Sequence, residues 1–325
     1  MSWQVRCFFA RFFDLPHGVP SHDTFSRVFA ILDTGQFLTC IHSWMDRLAG
    51  SLRGQGIALD GKTLLGSYDT AAQSSPLHLL TAYTTGTRLV LRQLKVPEGS
   101  NEIPTAGELL ECLELAGAIV TADALHCQVE TAKSIIAREA DYVLTVKGNQ
   151  PGLRDAVFQA FADHDEGTKP LAKVRRQVVG ERNRGHKERR TCLVAQAPAT
   201  PEFARWPGLR TIGLITRERT VGDQEQEESV FFISSLPPQV RELNQHLRDH
   251  WKIENSQHHV LDVTFTEDDS RIRKHAGPEI TAAFRRLALN ILQRDTSVKD
   301  NIRGKRLRAG WDEALLEQIY AAFHG

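Results

Sequence analysis

The chain has 325 residues, enough for a large buried core and for two or three structural units around one main domain. Hydrophobic residues at 41% and charged residues at 25% exclude a disordered or fibrous chain. A balance of 40 basic against 40 acidic residues excludes a protein that coats nucleic acid over its whole surface.

In chain order, 21-SHDTFSRVFAILD-33 reads as a helix opening on a Ser/Asp cap, and 36-QFLTCIHSWMDRLAG-50 as a second helix stopping at Gly50. The pattern then changes. The run 56-GIALD-60 reads as a short strand, and 79-LLTAYTTGTRLVLRQLKV-96 as two strands around a Thr-Gly turn. Residues 106–116 are amphipathic, 118-AIVTAD-123 is a buried strand ending in a carboxylate, 128–140 is helical and 141-DYVLTVKGN-149 is a strand. This alternation predicts a mixed α/β sheet. The β signal returns in VRRQVV, RTCLVAQ, LRTIGLITR and ESVFFISSL, an insertion or extension at about 165–238. Helices follow over 239–261 and, behind a Pro, over 278–294.

Charge is uneven along the chain. Lys173 to Arg190 holds eight Lys/Arg against Glu181 and Glu188, and Arg271 to Arg308 holds eleven against Glu279, Asp295 and Asp300. Such patches suit a polyanion, although a solvated face has the same composition. Five cysteines without Cys-x-x-Cys spacing predict a reduced, cytoplasmic chain. No apolar run approaches the ~20 residues of a membrane span.

Asp60 in 57-IALDGKTLLGS-67 and Asp123 in 118-AIVTADALHCQ-128 each stand where a strand is expected to end. Alone, the first reads as an Asp-Gly turn and the second as a helix cap. Together, with Glu254 of 251-WKIEN-255 on a late helix, they form a set able to hold two divalent cations about 3.5–4 Å apart. Oxygen ligands select Mg2+, with Mn2+ an acceptable substitute. The chemistry is in-line attack on a phosphodiester. A second reading takes 248-RDHWKIENSQHHVLD-262 as one helix on which His250, Glu254 and His258 bind zinc, although the His-Glu-x-x-His spacing is missing.

The stretches 17-HGVPSHDTFSRVF-29, 57-IALDGKTLLGS-67, 100-SNEI-103, 119-IVTADALHCQ-128, 142-YVLTVKGNQP-151, 231-FFISSL-236 and 249-DHWKIENSQHHVLDVTFTEDDSRIR-273 occur in this order along nearly the whole chain. The combination resembles the ISAs-type, or H-repeat-associated, insertion-sequence DDE transposases. That resemblance implies a ribonuclease-H-like sheet flanked by helices, with a β-rich insertion before the last catalytic helix. It also implies a helical associated unit over 1–52, a catalytic domain over 53–295 and a basic helical tail over 296–325.

Asp60, Asp123 and Glu254 fall on the three catalytic, metal-binding positions of that family. The implied partners are double-stranded DNA, as terminal inverted repeats and target, and a second copy of the chain on DNA. The implied setting is a bacterial cytoplasm with nucleoid association. The alternative is a folded remnant that binds DNA without cutting it. Lys62, Lys147, Asn149, Gln150, His186, Arg190, Arg248, Arg271, Arg273 and Lys274 are the candidate DNA contacts, and Trp251 reads as core. Leu65 and Gly99 stand where the family carries an Arg and a Lys, and Leu247 and His250 where hairpin-forming relatives carry a Tyr and an Arg.

Overall fold

The computed structural model describes residues 8–69, 73–183, 186–221 and 224–324. Apolar, β-branched runs form the central strands β1 (Gly56–Leu64), β2 (Leu77–Thr84), β3 (Val90–Lys95), β4 (Ile119–Ala122) and β5 (Asp141–Val146). β1 pairs antiparallel with β2, and β2 with β3, as hairpin-length connections allow. β1 with β4 and β4 with β5 run parallel. Parallel neighbours need crossovers, and α3 (Glu102–Glu111) and α4 (Val129–Ala137) supply them. Strand order β3-β2-β1-β4-β5 with these directions is the ribonuclease-H-like arrangement expected from the sequence.

Four more strands continue the same sheet: β6 (Arg175–Asn183), β7 (His186–Gln196), β8 (Thr211–Val221) and β9 (Gln224–Ser234). β9 joins β5 antiparallel, so the insertion widens the sheet to nine strands. These strands outrun their apolar stretches. Their outer halves carry charged residues in register, with Arg189 3.4 Å from Glu218 and Arg217 3.8 Å from Glu228. A charged ribbon has no hydrophobic alternation, so periodicity alone stops short of its ends.

One face of the sheet packs on α3, α4, α5 (Pro151–Asp165) and the short α6 (Pro201–Ala204), through Leu59, Leu109, Val120, Ile135, Leu144 and Phe161. On the other face, Leu243 and Leu247 of α7 (Val240–His250) cover Ile119, Val143 and Phe232. Beyond α7 the chain does not continue as a regular α-helix. Residues Glu254–His258 form a π turn, and α8 (His259–Phe265) follows.

The leading helices α1 (His22–Ile31) and α2 (Thr34–Ala49) do not stand apart. α2 shares a core with α9 (Gly277–Arg294), α10 (Ile302–Trp311) and α11 (Glu313–His324), built from Ile41, Met45, Leu287, Ile291, Ala309, Leu315 and Ile319. Phe29 and Phe37 also meet the Phe284 ring at centroid distances of 5.1 and 5.0 Å. Among the described residues, no helix is long and apolar enough to cross a membrane.

α9 is fixed to the edge strand by a side chain that imitates a strand. The buried Asn290 amide accepts from the Val90 N–H and donates to the Val90 carbonyl, each at 2.8 Å. Both backbone groups would otherwise be unpaired in an apolar setting. Asn290→Ala is expected to lower unfolding free energy by about 2 kcal/mol. Urea denaturation, with an unchanged slope, checks this.

Candidate active site

The register of β1 against β4 carries the two aspartates to the same place. The last paired positions are Leu59 and Ala122, and the next residue on each strand is an aspartate. Neighbouring strands lie ~4.8 Å apart and parallel partners share a face, so Asp60 and Asp123 emerge side by side. Asp60 does not end its strand, contrary to the turn reading. β1 runs on to Leu64, with Asp60 paired to Thr81 and Gly61 to Leu80. Only the β4 side stops there. Gly61 serves close approach: a Cβ there would lie 2.2 Å from a carboxylate oxygen of Glu102.

The segment after α7 lies across the face bearing the aspartates. Ile253 packs on Ala58, two residues before Asp60, and His250 Nδ1 lies 3.1 Å from the Thr121 hydroxyl, two residues before Asp123. The π turn then brings its first and last residues to Asp60. Single atoms of Asp60, Glu254 and His258 all lie within 4.8 Å of one another. His258 Nδ1 is 3.4 Å from Asp60 Oδ2. Asp123 stands just outside this trio, where its Oδ1 accepts the Leu125 N–H at 3.0 Å and caps the short turn Ala124–His126. Capping and charge are thus joint roles of one carboxylate.

The one-helix zinc reading fails on this geometry. His250 is buried against Thr121 and lies outside the trio, and its place beside Glu254 and His258 is taken by Asp60 from the sheet.

Electrostatics mark Asp60 as the focus. Burial pushes its carboxyl up to about 7, and the charges of Glu254 and Asp123 push the same way. Burial likewise holds the His258 imidazole down at about 3, with Arg286 and Lys62 adding to it, so the ring is neutral at pH 7. Carboxylates crowded without a compensating cation are the donor set of a divalent-ion site. The residues present fit such an ion, because Asp60 and Glu254 offer oxygens and His258 a nitrogen around one space.

A second cluster backs the first. Glu102 of the SNEI stretch accepts from His78 Nε2 at 2.7 Å and His126 Nε2 at 2.9 Å, and His78 Nδ1 lies 2.7 Å from the Thr63 hydroxyl. Burial pushes the Glu102 carboxyl up, but the hydrogen bonds and charges of His126 and His78 outweigh it and hold the group below the usual carboxylate range. The motifs SNEI and ADALH contain Glu102 and His126, yet nothing in their spacing joins them. A cavity of about 330 Å³ opens beside this cluster, lined among others by His78, Glu102, Leu125 and Arg273.

The remaining candidates divide. Lys62 is buried, and its ammonium donates to Asp262 at 2.7 Å with Asp268 at 3.6 Å, which makes it an internal clamp between β1 and α8 rather than a phosphate contact. Arg190 is buried too, donating to Asn244 at 2.9 Å. The two differ in compensation: Lys62 has a carboxylate partner, whereas Arg190 has a neutral amide at Nε and no hydrogen-bond partner at Nη2 among the described residues.

Asn149 donates to the Ala124 carbonyl and Gln150 to Gln128, so both brace the loop after Asp123. Lys147, Arg248, Arg271 and Lys274 are exposed. Arg273 is half-buried, with its guanidinium 4.3 Å from the Tyr68 ring centre and its Nε donating to the Gly66 carbonyl. The His186 side chain lies outside the described residues. Trp251 is not core: it is 46% exposed and lines a groove with Arg190, Arg217 and Arg248. Its position one turn before Glu254, on the outward side, reads as apolar periodicity only until the turn is in place.

This architecture agrees with what comparison with known proteins finds. The family described as "Transposase DDE domain" matches residues 51–291, and the one described as "DDE_Tnp_1-associated" matches 4–45. "H repeat-associated putative transposase YhhI" of Escherichia coli K12 is 32% identical over 97% of this chain and 84% of its own. "Putative transposase YncI" of Escherichia coli O157:H7 is 33% identical over 95% of this chain and 80% of its own. A solved piggyBac transposase synaptic complex with hairpin DNA aligns over 87% of this chain and 54% of its own, at TM-score 0.43 and 11% identity, too distant to carry anything across. The chain belongs to the DDE transposase family. Within it, the similarity is to the H repeat-associated insertion-sequence transposases.

Two outcomes follow from the site. The folded protein binds the Asp60 proton more tightly than the unfolded chain does. The corresponding stabilisation is therefore present below about pH 4 and lost as pH rises through 7. Metal-free Asp60→Asn is thus expected to melt a few degrees higher than the wild type at pH 8 and no higher at pH 4. Differential scanning calorimetry in chelator checks it. Lys62→Met should cost roughly 1–2 kcal/mol by stranding Asp262. Asp262→Asn in the same background should restore part of that loss, which a double-mutant cycle measures.

Proposed function

We propose that the chain cuts DNA at the ends of an insertion sequence and joins the freed 3′-hydroxyl to a target strand, with Asp60, Asp123 and Glu254 holding two divalent cations, Mg2+ or Mn2+ in its place. The carrying observation is the convergence of Asp60 and Glu254 within 4.8 Å of each other, beside Asp123 one step past the β1–β4 pairing, with Asp60 pushed up by burial and those charges. A cluster so poorly neutralised by the protein is arranged for cations. Such cations supply activation of the attacking oxygen and neutralisation of charge on the leaving one.

The chain's own residues supply position. β1 and β4 fix the aspartates, Ile253 and His250 hold the Glu254 segment on the sheet, and Lys62 with Asp262 clamps α8 to β1. Asn149 and Gln150 brace the loop that follows Asp123. Lys147, Arg248, Arg271 and Lys274, with the Trp251 groove, are the surfaces that meet phosphate and bases of double-stranded DNA. Residues 1–52 form the associated unit, 53–295 the catalytic domain and 296–325 a basic tail. A dimer on paired element ends, in a bacterial nucleoid, completes the reading.

A supercoiled plasmid carrying the matching terminal repeats tests it. Wild type with Mg2+ nicks the plasmid. Asp60→Asn, Asp123→Asn and Glu254→Gln each lower nicking by about a hundredfold or more while retaining the mobility shift. A shift without nicking by wild type would identify the inactive remnant instead, and nicking by Asp60→Asn would sink the site.

A further inference from the structure

The three-carboxylate reading leaves one member of the cluster without a task. His258 ends the π turn that Glu254 begins, and it is buried at 7% exposure with its Nδ1 turned toward Asp60. Its Nδ1 lies 3.4 Å from Asp60 Oδ2, longer than a good hydrogen bond, so that nitrogen is not consumed by the aspartate. Its Nε2 is buried with no partner among the described residues. One His258 ring nitrogen, an Asp60 oxygen and a Glu254 oxygen lie within 4.8 Å of one another. Ligands about 2.0–2.3 Å from a common ion have that mutual spacing. A π turn is an uncommon local geometry that recurs at functional sites, and this one begins and ends on residues of the trio.

We infer that His258 is a nitrogen ligand beside Asp60 and Glu254, and that it makes this one position of the site selective for Mn2+ over Mg2+. The inference rests on the function proposed above and refines which ion its first position takes. The chemistry follows from ligand type. Mg2+ demands oxygen ligands in near-ideal octahedra and gives up water reluctantly. A transition ion accepts imidazole together with carboxylates, so replacing one oxygen by a nitrogen moves the preference away from Mg2+. Asp123, outside the trio, leaves the neighbouring position with oxygen donors and hence suited to Mg2+.

Pulsed electron paramagnetic resonance on full-length wild type loaded with Mn2+ tests the inference without any turnover. The expected spectrum shows coupling of bound Mn2+ to one imidazole nitrogen. His258→Ala removes that coupling and weakens Mn2+ binding roughly tenfold or more, while Mg2+ affinity, measured by competition, changes little. His258→Gln, which keeps side-chain volume and polarity, is the second variant should His258→Ala fail to give a native circular dichroism spectrum. Absence of nitrogen coupling in the wild type overturns the inference, as does coupling that persists in both variants or an equal fall in Mg2+ affinity. Those failures leave the three-carboxylate function standing, because plasmid nicking in Mg2+ and its loss in Asp60→Asn are measured independently.

Discussion

Everything in this molecule is arranged around a repulsion. Asp60, Asp123 and Glu254 are like charges brought close in a partly buried place, and the protein leaves Asp60 reluctant to ionise. Without a cation this crowding opposes folding, so the surrounding elements must hold the carboxylates against their preference to separate. The sheet does so from below through the β1–β4 register, and the α7–α8 segment does so from above through Ile253, His250 and the Lys62–Asp262 pair. Stability is traded locally for a cluster of carboxylates whose chemistry suits a divalent cation.

The outlying parts serve the same constraint at longer range. α9 carries Arg286, fully buried against Glu267 at 2.9 Å, and Glu267 lies just beyond α8. The end of the site helix is therefore tied to α9, and α9 is tied to β3 through Asn290 and to the leading helices through Phe284. The N-terminal and C-terminal helices complete the packing around a helix that braces the segment bearing Glu254 and His258.

Several parts of this were legible in the residues. The strand–helix alternation, the apolar runs of β1 to β5 and the capped α1 follow from period and capping chemistry, and they appear where expected. Asp60 and Asp123 stood out as carboxylates at the ends of apolar runs, and Glu254 through the Trp-x-Ile-Glu-Asn motif of the family; the fold brings Asp60 and Glu254 together. Less legible were contacts between residues of unremarkable local context. Lys62 and Arg190 look like exposed bases in sequence, and only their burial beside Asp262 and Asn244 shows them to be internal. Trp251 looks apolar and is half outside. Glu102, His78 and His126 come from a helix, a strand and a short turn, and no spacing rule joins them.

By itself, then, the sequence determined the fold class and the order of the elements, and it singled out Asp60 and Glu254, which the fold brings together. Those depend on hydrophobic period, turn chemistry and side-chain charge, which are written locally. Tertiary structure alone decided that Asp60 sits mid-strand where its parallel neighbour ends, that a π turn interrupts the helix expected over 239–261, and that His258 rather than His250 faces Asp60. The physical reason is that strand register and helix phase are set by packing across the sheet, between residues up to two hundred positions apart. A shift of one residue in either would leave the sequence pattern unchanged and the site dismantled.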